Sequence, residues 1–229
     1  MARTQLRTLI ALAMSAGTAL GQVHYTADFQ SGAAGPEWSR RIVDAAPLGG
    51  RRFLGQFGND AVSLTLPGVR AGERVSVAFD FLAIRTWDGN AGGGGPGPDI
   101  FRAWVDGGPV LVNSTFAVGD PEGRHKMSYP ELPGVAENPS RFDAVENDTL
   151  GYTIGPAQFP LDATWRMNFN FIAAANGLTV WFEGAGLQEL ADESWGLDNV
   201  TVTAVSVPAP GATALAGCGL GLILRRRRR

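Results

Sequence analysis

Val75-Ser76-Val77-Ala78-Phe79-Asp80-Phe81 decides how this chain folds. Bulky apolar side chains occupy every second position and small or polar ones lie between. Successive side chains of a strand point to opposite faces, whereas a helix would repeat near 3.6 residues. The run therefore reads as a strand with one face on a core and one in water. Trp165, Met167, Phe169 and Phe171 alternate in the same way with Arg166, Asn168 and Asn170, as do Leu178, Val180 and Phe182 with Thr179, Trp181 and Glu183.

Further strands are expected at 23–29, 52–57, 61–66, 100–105, 109–116 and 196–204. Asp106-Gly107-Gly108 reads as a tight hairpin, because glycine accepts the positive φ such turns require, and Asn176-Gly177 reads likewise. With 31 glycines and 14 prolines, this pattern predicts an all-β fold. The expected architecture is an antiparallel β-sandwich of jelly-roll type, with a barrel as the alternative. Residues 119–151 are polar and proline-punctuated without a clean period, and are expected to form long loops with at most one helical turn.

The two ends have a different character. Residues 1–21 place Arg3 and Arg7 before a short apolar run, then Ala19-Leu20-Gly21 before Gln22. This is the layout of a secretory signal peptide, with small residues at −3 and −1. A buried N-terminal helix is the alternative, but no amphipathic stripe accompanies it. At the other end Val207-Pro208-Ala209-Pro210 leads into an apolar run and then five arginines, Arg225 to Arg229. About 13 apolar residues in a helix reach ~20 Å, short of the ~30 Å hydrocarbon core unless the arginines snorkel.

This tail resembles the PEP-CTERM sorting signal, with Val-Pro-Ala-Pro where that family has Pro-Glu-Pro. The resemblance covers roughly the last 23 residues. It implies export, transient membrane anchoring by a C-terminal helix, and processing by an exosortase-type enzyme. The organisation expected is a signal peptide at 1–21, one β-sandwich domain at 22–205, and a sorting or anchor segment at 206–229, with the protein ending at the cell surface or outside the cell.

The net charge of −3 conceals a sharper asymmetry. Two basic residues lie in 1–21 and five in the tail, so the region between carries 12 basic against 22 acidic side chains, a formal −10. Such a surface repels nucleic acid and attracts cations. The single cysteine, Cys218, lies in the tail, so the exported domain has no disulfide. At about 185 residues it is long enough to bury a core without one.

Two segments concentrate chemistry: Trp87-Asp88-Gly89-Asn90 with its glycine-rich loop to Pro98-Asp99, and Glu193-Ser194-Trp195-Gly196-Leu197-Asp198-Asn199-Val200. With the Val105-Asp106-Gly107 hairpin they resemble the ectodomains of PEP-CTERM proteins. In these a Trp-Asp-Gly … Gly-Pro-Asp loop precedes the hairpin, and the last strand opens Trp-Gly-hydrophobic-Asp-Asn-Val. That resemblance implies a lectin-like jelly roll and no established activity. On the residues themselves, Asp198 shares its phase with Val200 and Val202 and is expected to face the core, where a carboxylate must be paired or metal-bound. Asp88, Asn90, Asp99 and Asp198 are the candidate ligands of a structural Ca²⁺, since calcium takes hard oxygen donors. Capping of turns by the same side chains is the competing reading.

Trp104 and Trp181 fall out of phase with the core residues beside them and are expected on an outer face, near Arg166, Asn168 and Asn170. Exposed indoles flanked by amides suit a sugar ring, whose C–H face stacks while its hydroxyls hydrogen-bond. The candidate carbohydrate-binding residues are therefore Trp104, Trp181, Asn168 and Asn170, with extracellular polysaccharide as the partner. Burial of the indoles under a loop is the alternative. Only His24 and His125 are histidines, and neither has a zinc-ligand spacing or a nucleophile beside it in sequence. The expectation is a surface or matrix protein that binds polysaccharide, with a purely structural protein or a glycoside-active enzyme as alternatives.

Overall fold

The computed structural model describes residues 22–90, 96–119, 124–154 and 160–206. The expected signal peptide and sorting tail, with the helices anticipated for them and Cys218, lie outside the described residues. Within these, no helix is long and apolar enough to cross a membrane.

The strands, in chain order, are β1 (Gln22–Ala27), β2 (Val43–Ala45), β3 (Arg52–Phe57), β4 (Ala61–Leu66), β5 (Arg74–Arg85), β6 (Ile100–Val105) and β7 (Val110–Thr115). They continue with β8 (Lys126–Met127), β9 (Asn138–Pro139), β10 (Glu146–Asn147), β11 (Asp162–Ile172), β12 (Leu178–Ala185) and β13 (Glu193–Val205). One sheet runs β10-β11-β5-β13-β3-β2, with β1 on the far half of β13. The other runs β4-β12-β6-β7. Every pairing between strands is antiparallel.

The two sheets face each other across one core, as the alternating runs require. Val75, Val77, Phe79 and Phe81 point inward from β5, and Trp165 and Met167 do so from β11. From the opposite sheet come Val62, Leu64, Phe101, Ala103, Val180 and Phe182. Aromatic rings join the layers: Phe81 stacks on Phe101 at 3.9 Å and 17°, and Phe79 meets Phe182 edge-on at 5.1 Å. Burying each such ring contributes about 2–3 kcal/mol. The architecture is a two-sheet sandwich and not a barrel.

A smaller apolar cluster, Ala46, Phe53, Leu82, Ile84, Leu150 and Tyr152, sits on the outer face of the larger sheet. The segments 44–51 and 146–152 cover it, joined where the Leu48 N–H donates to the Leu150 carbonyl at 2.8 Å. This is why β5 is buried on both faces from Asp80 to Ile84.

Three expectations are corrected. Asp106-Gly107-Gly108 does turn β6 into β7, but Asn176-Gly177 is no hairpin: it carries the chain from β11 in one sheet to β12 in the other. Residues 119–151 hold the short β8–β9 ladder and β10, and no helical turn is found among those described. Asp198 does not share its face with Val200. It stands opposite Asp80, while Thr201 stands opposite Ala78, so β13 takes three steps where β5 takes two. The extra residue is absorbed at a bulge where Asn199 has φ 50°, and a one-residue insertion flips every later side chain to the other face.

Candidate functional site

The smaller sheet presents its outer face to solvent, and the alternation of β6 and β12 places Trp104 and Trp181 there. They are direct cross-strand partners. Both are half-buried, with ring planes 9° apart and centroids separated by 6.0 Å. The pair is offset and near-parallel, and neither indole is fully buried. The next pair along the same face is Arg102 and Glu183, bridged at 3.4 Å, and the preceding one is Thr65 and Thr179, whose hydroxyls lie 3.2 Å apart. Exposed Asn113 stands opposite Arg102, and exposed Val110 opposite Trp104. The result is an open aromatic strip edged by hydroxyl, amide and charged groups.

Asn168 and Asn170 are not part of it. They are exposed on β11, which pairs with β5 in the larger sheet. Because the inner faces of a sandwich meet, its outer faces look in opposite directions. The two asparagines and Arg166 therefore lie on the far side of the molecule from the indoles. The four residues expected to form one carbohydrate face divide into two pairs.

The other four tryptophans are buried, each with its indole N–H satisfied. Trp38 donates to the Tyr25 hydroxyl at 2.6 Å, Trp87 to the Ser194 carbonyl at 2.9 Å, Trp165 to that of Phe142 at 2.9 Å, and Trp195 to that of Gly58 at 2.8 Å.

The acidic residues expected to bind calcium also divide. Asp88 follows β5, Asp99 precedes β6, and both come together at one end of the sandwich with Glu193, the first residue of β13. One potential ligand atom from each lies within 4.8 Å of those of the other two. Asp99 and Glu193 are fully buried, and Asp88 is partly so. Next to Asp88, Gly89 has φ 76° and packs so closely on β8 that a Cβ would fall 2.1 Å from the Lys126 carbonyl oxygen, and its own carbonyl accepts the Asp99 N–H at 2.9 Å.

Each carboxylate has polar company, though Asp99 only in part. Asp99 Oδ2 accepts the Asp88 N–H, while Asp99 Oδ1 is buried without a hydrogen-bond partner among the described residues. Glu193 Oε2 accepts the Gln188 N–H at 2.6 Å, and its Oε1 accepts the Gln188 amide at 3.0 Å. Asp88 Oδ1 lies 3.3 Å from His125 Nδ1. Burial pushes the Asp99 carboxyl up to about 8, against the Asp88 N–H it accepts and with help from the Glu193 and Asp88 charges. Burial likewise raises Glu193 against its Gln188 bonds, and raises Asp88 against the pull of His125.

Asn90 and Asp198 do not join this cluster. Asn90 accepts from the Thr115 hydroxyl and donates to Glu137 at 3.0 Å, so its amide is already engaged. Asp198 is held by Arg51 at 2.6 Å on the outer face of the larger sheet, where the bulge turns it. Glu193 was readable in its place. It shares the phase of Trp195 and Leu197, which do face the core, so the reasoning applied to Asp198 belonged five residues earlier.

No family model matches the chain, and no curated protein matches it. Among solved structures, latent dimeric PorU from Porphyromonas gingivalis is similar at 10% identity and TM-score 0.39, over 83% of this chain and 14% of that one. The CBM22-1–GH10 modules of Clostridium thermocellum endo-1,4-β-D-xylanase 10B, complexed with xylohexaose, give 11% identity and TM-score 0.36, over 80% and 28%. An exo-β-1,3-galactanase from Phanerochaete chrysosporium gives 12% and 0.32, over 84% and 32%. This chain thus spans less than a third of the length of each protein, and likeness at this level bears on neither ligand nor activity.

Proposed function

We propose that the protein is an exported surface or matrix module that binds extracellular polysaccharide on the outer face of its smaller sheet. The observation that carries the reading is the Trp104–Trp181 pair, two near-parallel indoles in direct register that no loop among the described residues buries. Most large aromatics in a protein this size are buried, and the other four tryptophans are. Two near-parallel, partly exposed indoles fit the C–H faces of sugar rings in a polymer. Arg102, Glu183, Thr65, Thr179 and Asn113 supply donors and acceptors for ring hydroxyls beside it. This is a binding surface, with no catalytic step assigned to it.

The same reading takes the sandwich as a jelly roll. The order β11-β5-β13-β3 against β4-β12-β6-β7 supports it, because among these eight strands every connection except the β6–β7 hairpin passes between sheets, as two interlocked Greek keys require. Export through the N-terminal signal, and sorting by exosortase-type machinery through the PEP-CTERM-like tail, complete the proposal.

Pull-down with insoluble polysaccharides, and retardation in gels containing soluble ones, test the binding. Retention by at least one polymer is expected, with Trp104→Ala and Trp181→Ala each weakening it roughly 5- to 30-fold, since aromatic contacts of this kind contribute about 1–2 kcal/mol. Circular dichroism should not change, because both rings are partly exposed. Binding that survives the double substitution would sink the proposal. Mass spectrometry of the mature protein tests export, with Gln22 expected at its N-terminus.

A further inference from the structure

We propose that Asp88, Asp99 and Glu193 form a Ca²⁺ site that ties the end of β5 to the starts of β6 and β13. Three carboxylates converge there from segments far apart in sequence, with one potential ligand atom of each within 4.8 Å of the others. Oxygens of three ligands bound to one calcium at 2.3–2.6 Å can lie no more than about 5 Å apart, so the spacing fits. A cluster of acids alone would be unremarkable. Here one oxygen, Asp99 Oδ1, is buried and makes no hydrogen bond with any described residue, although its carboxylate is fully enclosed. A buried, unpartnered carboxylate oxygen is costly, and a cation between the three groups removes that cost together with their mutual repulsion.

The donor set selects the ion. All three ligands are hard oxygens, and the neighbouring imidazole, His125, lies against Asp88. Zinc favours nitrogen and sulfur, and magnesium retains most of its water and resists an all-carboxylate cage. Calcium takes six to eight oxygens, so water and backbone carbonyls complete the shell. Gln188, bonded to Glu193 and 3.5 Å from Asp88, holds two of the ligands in place from outside. The site is separate from the indole strip and independent of the sugar-binding reading.

The test uses the full-length protein, freed of metal by chelator and dialysis. Titration calorimetry should give one Ca²⁺ per chain. At a hundredfold excess over Kd the melting temperature should rise by roughly 5–10 °C. Mg²⁺ at the same concentration should leave it unchanged. Tb³⁺, a calcium mimic, should luminesce on indole excitation through Trp87, whose N–H bonds the carbonyl of Ser194 beside Glu193, and Ca²⁺ should quench that signal. Asp99→Asn and the less buried Asp88→Asn should each lower Ca²⁺ affinity at least tenfold. Identical melting with Ca²⁺ and with excess chelator would overturn the site, as would an equal response to Mg²⁺. Undiminished Ca²⁺ binding by folded Asp88→Asn would do the same. If Asp99→Asn fails to fold, the wild-type comparison and Asp88→Asn still decide.

Discussion

Asp80 and Asp198 stand directly opposite each other on adjacent strands, both about 1% exposed, and share the guanidinium of Arg51. Arg166 reaches Asp80 from the other side at 2.9 Å, and Asn199, turned at the bulge, donates to it at 2.7 Å. Burial works against ionisation of both carboxyls, but the outcomes differ. For Asp80 the bonds from Arg166 and Asn199 and the two guanidinium charges prevail and hold it below the ordinary carboxylate range. For Asp198 burial prevails over Arg51 and its value is raised.

Arg51→Met should therefore destabilise the protein by about 3 kcal/mol near neutral pH, because it leaves two buried carboxylates facing each other. The sign of the pH dependence follows from Asp198, which Arg51 holds down against burial and which is therefore raised further in the variant. A carboxyl whose folded pKa is raised takes up a proton more readily in the native state, so the native state gains relative to the unfolded one as pH falls. The deficit of Arg51→Met should shrink as pH falls from neutrality towards the carboxylate range, measured as the gap between the two melting temperatures. A gap that widens on acidification would contradict this account.

In the wild type, Asp80 acts in the opposite sense. Its folded value is lowered, so its contribution is complete above the ordinary carboxylate range and is lost as pH falls through the lower folded value. Asp80→Asn removes that contribution at every pH. Its melting temperature should lie well below wild type at pH 6 and converge towards it as pH falls through the lowered folded value, where the wild-type carboxylate itself protonates. Parallel melting curves across that range would show that Asp80 is not ionised in the native state.

Asp162 anchors the cover of the small outer cluster. Fully buried, it accepts the backbone N–H groups of Leu150, Gly151 and Tyr152 at 3.0, 2.9 and 3.3 Å. Asp162→Ala would leave these donors without an acceptor, at a cost of about 2–4 kcal/mol. Urea denaturation should register the loss. Hydrogen exchange should accelerate first at those three amides, and only later within β5 and β11.

The strands were legible because their pattern is local. Runs such as Val75 to Phe81 have a period of two and one apolar face, and those expected at 52–57, 61–66 and 100–105 formed over the same residues. What escaped depends on pairing between distant segments. Nothing in Asn176-Gly177 itself distinguishes a hairpin from a crossover. The Asn199 bulge is invisible until β13 meets β5, yet it alone moves Asp198 from core to outer face. Of the four candidate calcium ligands, Asp88 and Asp99 come together, whereas Asn90 and Asp198 are engaged elsewhere. Glu193 lies before the strand expected at 196–204, whereas β13 begins with it, so its phase with Trp195 and Leu197 emerges only once the strand's true start is known. Trp104 and Trp181 were placed rightly, each from its own strand's phase, whereas their separation from Asn168 is a fact about which sheet β11 joins.

Gly196 illustrates a constraint of close approach. A Cβ there would lie 2.3 Å from Phe53 Cδ2 and 3.0 Å from the Leu54 carbonyl oxygen, within the β3–β13 contact. Gly196→Ala must push the Phe53 ring out of the small cluster or spread the strands, at a cost of about 1–3 kcal/mol. The expected result is a lower urea midpoint with an unchanged slope, accompanied by faster exchange along β3. A wild-type midpoint would mean that Phe53 turns aside freely.

The placement of the six tryptophans also sets the protein's fluorescence. Trp38, Trp87, Trp165 and Trp195 are at most 3% exposed, so a water-soluble quencher such as iodide should reach only Trp104 and Trp181. Quenching should therefore be biphasic, with a minor accessible fraction and a major protected one. Trp104→Ala and Trp181→Ala should each reduce the accessible fraction, and the double substitution should nearly abolish it while leaving melting within about 1 kcal/mol of wild type, as expected for partly exposed positions. A polysaccharide that lies along the strip should protect the same fraction from iodide. Protection in the wild type without any change in the buried emission would place the polymer on this face. Undiminished quenching in the presence of bound polymer would place it elsewhere.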